Sequence, residues 1–104
     1  MTQGLSYIQG PTEPALRDLT LGEALREAAE DSPDQIALIC GTPDPAARRQ
    51  WTYAELYAEA EKTAHVLAAL FEPGERVAIW APNIPEWVMV EFGAAMAGVI
   101  LVTV

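Results

Sequence analysis

The stretch from Gly74 to Val104, GERVAIWAPNIPEWVMVEFGAAMAGVILVTV, decides the fold, because it is apolar almost throughout and its pattern changes twice. The short apolar run Arg76–Ala81 follows a Pro-Gly turn and predicts a buried strand. A helix is expected to begin near Asn83 and to end at Gly98, and the β-branched run Val99–Val104 predicts a second strand. Two strands joined through a helix pair in parallel, so the stretch predicts a βαβ unit.

The predicted helix has apolar side chains all around its axis. Asn83 can cap it, with Glu86 three residues later in the spacing of a capping box. Its charged residues, Glu86 and Glu91, lie on different sides of a spiral of about 3.6 residues per turn. The apolar residues that cover the rest of the helix are Trp87, Val88, Met89, Val90, Phe92, Ala94, Ala95, Met96 and Ala97. Such a helix is covered on more than one side, and this chain supplies too little to cover it.

The same region has a competing interpretation as a membrane-spanning helix, since Trp87–Val104 is nearly all apolar. A span needs about 20 consecutive apolar residues. The uninterrupted run starts only at Phe92, contains Gly93 and Gly98, and ends without a basic flank. We therefore expect no transmembrane segment.

The chain before this stretch also alternates between helix and strand. Residues 1–19 contain two prolines and few periodic apolar positions, which predicts an extended N-terminal arm. A helix is expected at Leu21–Asp31, capped by Thr20. A short strand at Gln35–Cys40 and a loop at Gly41–Gln50 are expected to follow.

A longer helix is expected from Thr52 to about Phe71, preceded by Trp51 as a strand residue. Thr52 and Glu55 form a second capping box at its start. Its apolar positions recur at intervals of three and four and should face the sheet; they are Leu56, Ala60, Ala64, Leu67 and Phe71. The alternation predicts an α/β fold with a mostly parallel sheet, in which residues 20–104 form a partial α/β subdomain.

Length and composition place the chain among small globular proteins. It has 104 residues, of which 51% are hydrophobic and 20% are charged. The formal net charge of -9 argues against nucleic acid as a partner, because neutralising phosphates requires clustered Lys and Arg. The same excess of carboxylates disfavours ATP and coenzyme A, so a nucleotide site would draw its positive groups from elsewhere. No signal peptide is visible, which favours a cytoplasmic location.

Few side chains are candidates for chemistry, and each has a simpler structural interpretation. Cys40 follows apolar residues and is expected to be a buried, unreactive thiol. Arg48 and Arg49 are the candidates for anion contact, although a plain surface turn is favoured. His65 has no metal ligands grouped around it and is expected at the surface. The first helix carries acidic residues that are expected to be solvated rather than catalytic. They are Glu23, Glu27 and Glu30.

Motifs for phosphate binding and nucleophilic catalysis do not occur in the sequence. Gly74, Gly93 and Gly98 are isolated, and neither a G-x-G-x-x-G nor a Walker-type Gly-Lys-Ser/Thr run is present. Ser6 and Ser32 lie on no nucleophile-elbow pattern. From composition, periodicity and spacing alone we expect no catalytic, cofactor-binding or metal-binding residue in this chain.

Four segments, by their order and spacing, resemble the beginning of an adenylate-forming enzyme, in particular of the acyl-CoA synthetase branch. They are Trp51–Leu56 (WTYAEL), Gly74–Ile79 (GERVAI), Asn83–Trp87 (NIPEW) and Ala97–Val102 (AGVILV). In that family a T-Y-x-E-L helix start precedes a G-D-R-V-A-I strand, an Asn-led helix and an A-G turn into a buried strand. The resemblance runs from about residue 19 to the last residue, and its main departure is Glu75 where Asp is usual.

The resemblance implies the start of the large N-terminal domain of an acyl-CoA-synthetase-like fold, with Trp87, Phe92 and Met96 in the core. Such ligases use Mg-ATP to convert a carboxylate, here expected to be a fatty acid, into an acyl-adenylate that the coenzyme A thiol attacks. The family's phosphate loop, nucleotide contacts and catalytic lysine lie beyond this sequence. The chain is therefore expected to be an inactive fragment that binds no ATP, Mg2+ or coenzyme A alone and needs the remainder of its parent chain. A homo-oligomeric parent is left open.

Two alternatives stay open at this point. The chain could be a self-contained α/β interaction module that docks a partner on the apolar helix Ile84–Ala97, because large exposed apolar patches mark partner sites. Members of the same family with aryl or amino-acid substrates share this front part, so these residues do not fix the acyl group.

Overall fold

The computed structural model describes Gly4 and residues 6–104, and its fold alternates helices with short strands. The elements are α1 (Leu21–Asp31), β1 (Ile36–Ile39), a 3-10 turn (Pro45–Ala47), β2 (Gln50–Thr52), α2 (Tyr53–Leu70), β3 (Arg76–Ile79), α3 (Pro85–Ala97) and β4 (Ile100–Thr103). Residues 6–19 contain no helix or strand and are exposed. Positions 1–3 and 5 of the predicted arm lie outside the described residues, and the domain division at residue 20 stays a prediction.

The C-terminal βαβ unit forms as the sequence predicts. β3 and β4 pair in parallel, in a register that runs from Arg76 opposite Ile100 to Ile79 opposite Thr103. The Val104 N–H extends the pairing by donating to the Ile79 carbonyl at 3.2 Å. β3 ends earlier than predicted, since the ladder includes neither Trp80 nor the residue after it.

The start of α3 differs from the predicted capping box of Asn83 and Glu86. The helix begins at Pro85, and the preceding Ile84 has an extended backbone (φ -117°, ψ 155°) and no side-chain cap. A proline disfavours helical geometry at the residue before it and is tolerated at the first helical position. The helix therefore cannot start before Pro85, and the predicted Asn83 cap is wrong.

The two upstream helices begin where the sequence predicts, each with a complete capping box. The Glu23 N–H donates to Thr20 Oγ1 at 3.2 Å, and the Thr20 N–H donates to the Glu23 carboxylate at 2.8 Å. In α2 the Glu55 N–H donates to Thr52 Oγ1 at 3.1 Å, and the Thr52 N–H donates back at 2.8 Å. These side chains satisfy backbone donors that a helix leaves open in its first turn.

The first two strands differ from the predicted mostly parallel arrangement. β1 pairs with β2 antiparallel, with Ile39 opposite Gln50 and a bulge between Ile36 and Leu38. Their connection contains only a 3-10 turn, whereas a parallel pair needs a crossover of about a dozen residues or more. The described residues thus form two separate two-stranded sheets, of which β3–β4 is the parallel one. The α/β class is confirmed, while the sheet is not continuous.

Packing between helices builds most of the core. The two clusters of buried residues are Leu25, Leu56, Ala60 and Met89, and Leu67, Ala94 and Val99. The N-terminal half of the α2 stripe therefore faces the β1–β2 sheet as predicted, through Ala37, Leu38 and Trp51, and it also packs on α1 and α3. The helices α2 and α3 approach closely at Gly93, because a Cβ on this residue would lie 2.7 Å from the Thr63 Cβ.

Of the large side chains of α3, Met89 is buried, whereas Trp87, Phe92 and Met96, which the sequence places in the core, are only half-buried. Phe92 and Met96 pack against the first cluster, whereas Trp87 belongs to neither cluster. The helix contacts α1, α2 and β4, so more than one of its sides is partly covered. In the part of the chain that the structure describes, no helix combines the length and apolar character needed to cross a membrane.

Candidate functional site

An apolar groove lies between the first turns of α3 and the β1–β2 hairpin, which spans residues 36–52. The hairpin contributes residues next to its connecting loop. It has a volume of about 270 Å3 and is lined by Leu38, Ile39, Asn83, Ile84, Pro85, Trp87 and Val88. The lining is mostly apolar, with Asn83 as its polar side chain, which suits an apolar side chain or ligand segment. None of the seven lining side chains is ionisable.

Arg49 and Glu86 connect the two walls of this groove. Arg49 Nη1 donates to Glu86 Oε1 at 2.8 Å, and Nη2 donates to Oε2 at 3.5 Å. The guanidinium carbon also lies 5.2 Å from the centre of the Trp51 ring, within the range of a cation–π contact. A planar guanidinium suits both interactions at once. The pair therefore ties the hairpin to the first turn of α3.

The ionisation of this pair reflects the contact. The hydrogen bond from Arg49 is the main cause that lowers the pKa of the Glu86 carboxyl, and the backbone N–H of Glu86 adds to it. The same hydrogen bond raises the pKa of Arg49 above its ordinary value, and the neighbouring Cys40 contributes in the same direction. Both side chains are about half exposed, so water screens the attraction.

The two candidate anion contacts are used within the chain. Arg48 Nε donates to the Thr42 carbonyl at 2.8 Å and holds the loop between β1 and β2. Arg49 is paired with Glu86 as described. The arrangement agrees with the plain surface turn that the sequence favours. It suits a phosphate site less well, because a bound anion would have to compete with Glu86 for Arg49.

The other candidate side chains lie at separate places. Cys40 is half-buried, and its N–H donates to the Arg49 carbonyl at 2.9 Å. The sequence places no basic group near Cys40, whereas strand pairing brings Arg49 beside it. His65 is exposed on α2. Ser32 ends α1, with its N–H donated to the Ala28 carbonyl.

The acidic residues of α1 are engaged in caps and ion pairs. Glu23 completes the capping box. The backbone N–H of Thr20 and, to a smaller extent, the Thr20 hydroxyl donate to the Glu23 carboxylate and lower its pKa. Glu27 pairs with Arg17, and Glu30 accepts from its helix neighbour Arg26 at 3.3 Å. A more polar cleft of about 370 Å3 beside them is lined by Arg17, Ala24, Glu27, Ala28, Asp31, Ser32, Gln35 and Tyr53.

The polar and charged side chains of the described residues lie at the surface. Across Gly4 and residues 6–104, no polar or charged side chain is buried. The same residues hold no group of three or more His, Cys, Asp or Glu that could bind a metal ion. The described residues thus form a segment of an α/β fold with an apolar groove on its surface.

Comparison with known proteins identifies the family to which this chain belongs. The family model described as "AMP-binding enzyme" matches residues 25–104. The chain therefore belongs to the AMP-binding enzyme family, as the four resembling segments predict. The medium-chain acyl-CoA ligase ACSF2, mitochondrial, of Danio rerio is 38% identical over 100 residues, which make up 95% of this chain and 16% of that protein. The chain thus spans 16% of the length of this relative.

Solved structures share the fold at similar identity. A fatty acyl CoA synthetase of Mycobacterium tuberculosis matches 82% of this chain and 16% of its own, with a TM-score of 0.73 and 35% identity. The N-terminal domain of FACL13 from the same organism matches 83% of this chain and 21% of its own, with a TM-score of 0.73 and 34% identity. The predicted fold, the start of the N-terminal domain of acyl-CoA-synthetase-like enzymes, is confirmed.

Sequence reasoning missed the contact of Arg49 with Glu86. It assigned Glu86 to a helix cap and Arg49 to a turn, because each has a local interpretation that needs no distant partner. The spacing of Arg49 and Trp51, two residues apart, is a local signal only for their cation–π contact and not for the contact with Glu86.

Proposed function

We propose that this chain is the opening segment of the large N-terminal domain of an acyl-CoA ligase. The observation that carries the proposal is the match to the Mycobacterium tuberculosis fatty acyl CoA synthetase, which combines a TM-score of 0.73 with 35% identity over 82% of this chain. Agreement in both fold and sequence is stronger than fold alone, since one fold hosts many activities.

The proposed parent activates a carboxylic acid in two steps. The carboxylate attacks the α-phosphate of Mg-ATP to give an acyl-adenylate and pyrophosphate, and the coenzyme A thiol then displaces AMP. We propose a fatty acid as the substrate, because matched relatives bear the names fatty acyl CoA synthetase and medium-chain acyl-CoA ligase. Aryl and amino-acid substrates are the alternatives within the same family.

In this proposal the chain has an architectural role. Transferring an adenylyl group requires positive charge on the phosphates, and this chain has 6 Lys and Arg against 15 Asp and Glu. Of the six, Arg17, Arg26, Arg49 and Lys62 are paired with carboxylates of the chain. ATP, Mg2+ and coenzyme A would therefore be bound by residues outside residues 1–104, and the chain would supply a stable edge of the domain.

The interaction-module alternative has less surface available than the sequence suggests. It relies on α3 as a free docking helix, and α3 contacts α1, α2 and β4. Met89, Gly93 and Ala94 are buried in those contacts. The surface of α3 that a partner could reach is therefore smaller than the whole helix.

The test is carboxylate-dependent exchange of labelled pyrophosphate into ATP by the purified 104-residue chain. We expect no exchange above the enzyme-free background with octanoate, benzoate or an amino acid. The complete Mycobacterium tuberculosis fatty acyl CoA synthetase serves as the positive control. Exchange that depends on one of these carboxylates would overturn the architectural role.

Location and assembly are further parts of the proposal. A cytoplasmic parent stays a proposal, and the Danio rerio relative carries the word mitochondrial in its name. Fractionation of cells that express the tagged protein tests this directly, and a mitochondrial signal would contradict it. A homo-oligomeric parent is tested by light scattering.

A further inference from the structure

Two dipeptides of the chain place a proline directly after a hydroxyl residue, Ser32-Pro33 and Thr42-Pro43. A proline disfavours helical geometry at the residue before it, so both hydroxyl residues are restrained toward extended backbone. Extended backbone is the form in which a protein kinase binds the segment that it phosphorylates. The two dipeptides are alike in sequence, and the structure places them in different surroundings.

Ser32 lies in acidic surroundings at the end of α1. Its N–H donates to the Ala28 carbonyl at 2.9 Å and so belongs to the last turn of the helix. Glu27 and Asp31 line the same cleft as Ser32, and the arginine of that cleft, Arg17, is paired with Glu27. A phosphate on Ser32 would meet like charges and the negative end of a helix dipole, which both disfavour it.

Thr42 lies in the loop between β1 and β2, outside any helix or strand. Arg48 reaches back across this loop, and its Nε donates to the Thr42 carbonyl at 2.8 Å. Thr42 Oγ1 donates to the Asp44 carbonyl at 3.3 Å, which is long for a hydroxyl donor, so little is lost when this bond is given up. The guanidinium is therefore bonded to the same residue whose hydroxyl would carry a phosphate.

Arg48 has donors left for an anion. It takes part in none of the ion pairs found among Gly4 and residues 6–104. Its Nε is used on the loop, and the two Nη groups of a planar guanidinium can still bind phosphate oxygens. The Asp44 carboxylate of the same loop is engaged with the backbone, because its Oδ1 accepts from the Ala46 N–H at 3.0 Å.

We propose that Thr42 is a phosphorylation site and that Arg48 holds the phosphate. On a protein kinase, Thr42 Oγ1 attacks the γ-phosphorus of ATP, and an O–P bond forms as the bond to the β,γ-bridging oxygen breaks. ADP leaves with that electron pair, and a base of the kinase takes the hydroxyl proton. The phosphate adds a charge of about -1.5 to -2, which the Arg48 Nη groups bind through charge-assisted hydrogen bonds.

This site is independent of the acyl-CoA ligase proposal, because all of its parts are contacts within one loop. It also differs from the anion contact that the sequence suggests for both arginines. Arg49 stays with Glu86 at 2.8 Å, and Arg48 alone binds the phosphate.

The first test follows phosphate transfer from ATP by a proline-directed protein kinase, with the modified positions read by peptide mass spectrometry. In the folded chain we expect Thr42 to react at least about tenfold faster than Ser32, since the end of α1 must open before Ser32 can be extended. Synthetic peptides of residues 27–37 and 37–47 should react at similar rates. Equal rates in the chain, no reaction at Thr42, or the same ratio in the peptides would contradict selection of Thr42 by the fold.

The second test examines the phosphate itself. Chemical ligation at Cys40 yields the chain with phosphothreonine at position 42, and phosphorus-31 NMR measures the second pKa of the phosphate, which is ordinarily near 6. A cation bound to the dianion lowers this pKa. We therefore expect Arg48→Met to raise it by roughly 0.5, the scale of one exposed charge pair.

Arg49→Met is the matched control for the second test. The neighbouring guanidinium is bonded to Glu86, so its removal should raise the phosphate pKa by less than about half as much as Arg48→Met does. Equal effects of the two substitutions would mean that the phosphate senses only the general field of the loop. Either that result or an unchanged pKa in Arg48→Met would overturn Arg48 as the residue that holds the phosphate.

Discussion

Gly98 ends α3 with a left-handed backbone, at φ 73°. A Cβ there would lie 3.6 Å from the Pro73 Cβ, which is an ordinary contact, so the cost of Gly98→Ala comes from backbone strain. We expect the variant to lose about 1 kcal/mol of unfolding free energy, measured by urea denaturation. Gly41→Ala is the matched control, because its Cβ would meet nothing within 4 Å and its φ is not positive. Equal losses at both positions would contradict this explanation.

Glu86 gives the chain a pH dependence with a definite sign. Arg49 lowers its carboxyl pKa below the ordinary value of 4.5, so the folded chain holds this proton less tightly than the unfolded chain. The pair therefore stabilises the fold above pH 4.5 and loses its effect as the pH falls through the folded-state pKa.

A carbon-13 NMR titration of the Glu86 carboxyl measures this effect. We expect its pKa to lie below 4.5 in the unmodified chain and to move upward in Arg49→Met, because the hydrogen bond that lowers it most is then removed. Identical titration curves in the two proteins would show that Arg49 does not hold the carboxylate in solution.

At the scale of elements, the crossing of α2 and α3 depends on the missing side chain of Gly93. A Cβ there would lie 2.7 Å from the Thr63 Cβ and 3.1 Å from the Ala64 backbone nitrogen, which cannot move without its helix. We expect Gly93→Val to lose roughly 1–3 kcal/mol through overpacking, measured by urea unfolding. Ala95→Val places the same side chain on the exposed face of α3 and should lose less than about 1 kcal/mol. Equal losses would argue against a close crossing.

The helix starts give a second prediction, in which two similar residues have different effects. Thr52→Ala removes the hydroxyl that accepts from the Glu55 N–H at 3.1 Å and should lose about 1 kcal/mol by thermal or urea unfolding. Asn83→Ala removes no cap, since α3 begins after Ile84, and should stay within about 0.5 kcal/mol of the unmodified chain. A larger loss for Asn83→Ala would show that Asn83 caps α3, as the capping-box spacing in the sequence suggests.

The helices could be predicted from sequence because their signals are local. Thr20 with Glu23 and Thr52 with Glu55 lie within one turn of each other, and both boxes form as predicted. The parallel pairing of β3 and β4 also follows from a local rule about the connection between strands. Asn83 is the exception, where the restraint of a proline overrides a plausible cap.

The antiparallel hairpin and its contact with α3 could not be predicted in the same way. Each depends on which segments meet in space, and the Arg49–Glu86 contact joins positions 37 residues apart. Local reasoning gave Glu86 a cap partner and left Arg49 in a turn. The candidate groove was missed for the same reason, since its walls come from β1 and α3.

The chain has a larger radius of gyration than a compact domain of the same length. Its radius of gyration is 17.5 Å, with extents of 54, 37 and 28 Å. A compact domain of this size has a radius near 13 Å, by the usual scaling of about 100 residues. Large apolar side chains remain exposed in the loop between β3 and α3, on β4 and just after β4; they include Trp80, Ile84, Ile100 and Val104. This surface agrees with a segment that packs against more protein, as the proposed acyl-CoA ligase would provide.

A chimera tests the architectural role most directly. Residues 6–104 replace the aligned segment of the Danio rerio acyl-CoA ligase, to which the chain is 38% identical. The measurement is the rate of coenzyme A ester formation from octanoate. We expect the chimera to lose less than about 100-fold relative to the parent ligase, the loss that a misplacement of about 1 Å at the active site causes. The matched control carries Gly93→Val and should lose more. A chimera that is folded and monodisperse but inactive would contradict the account.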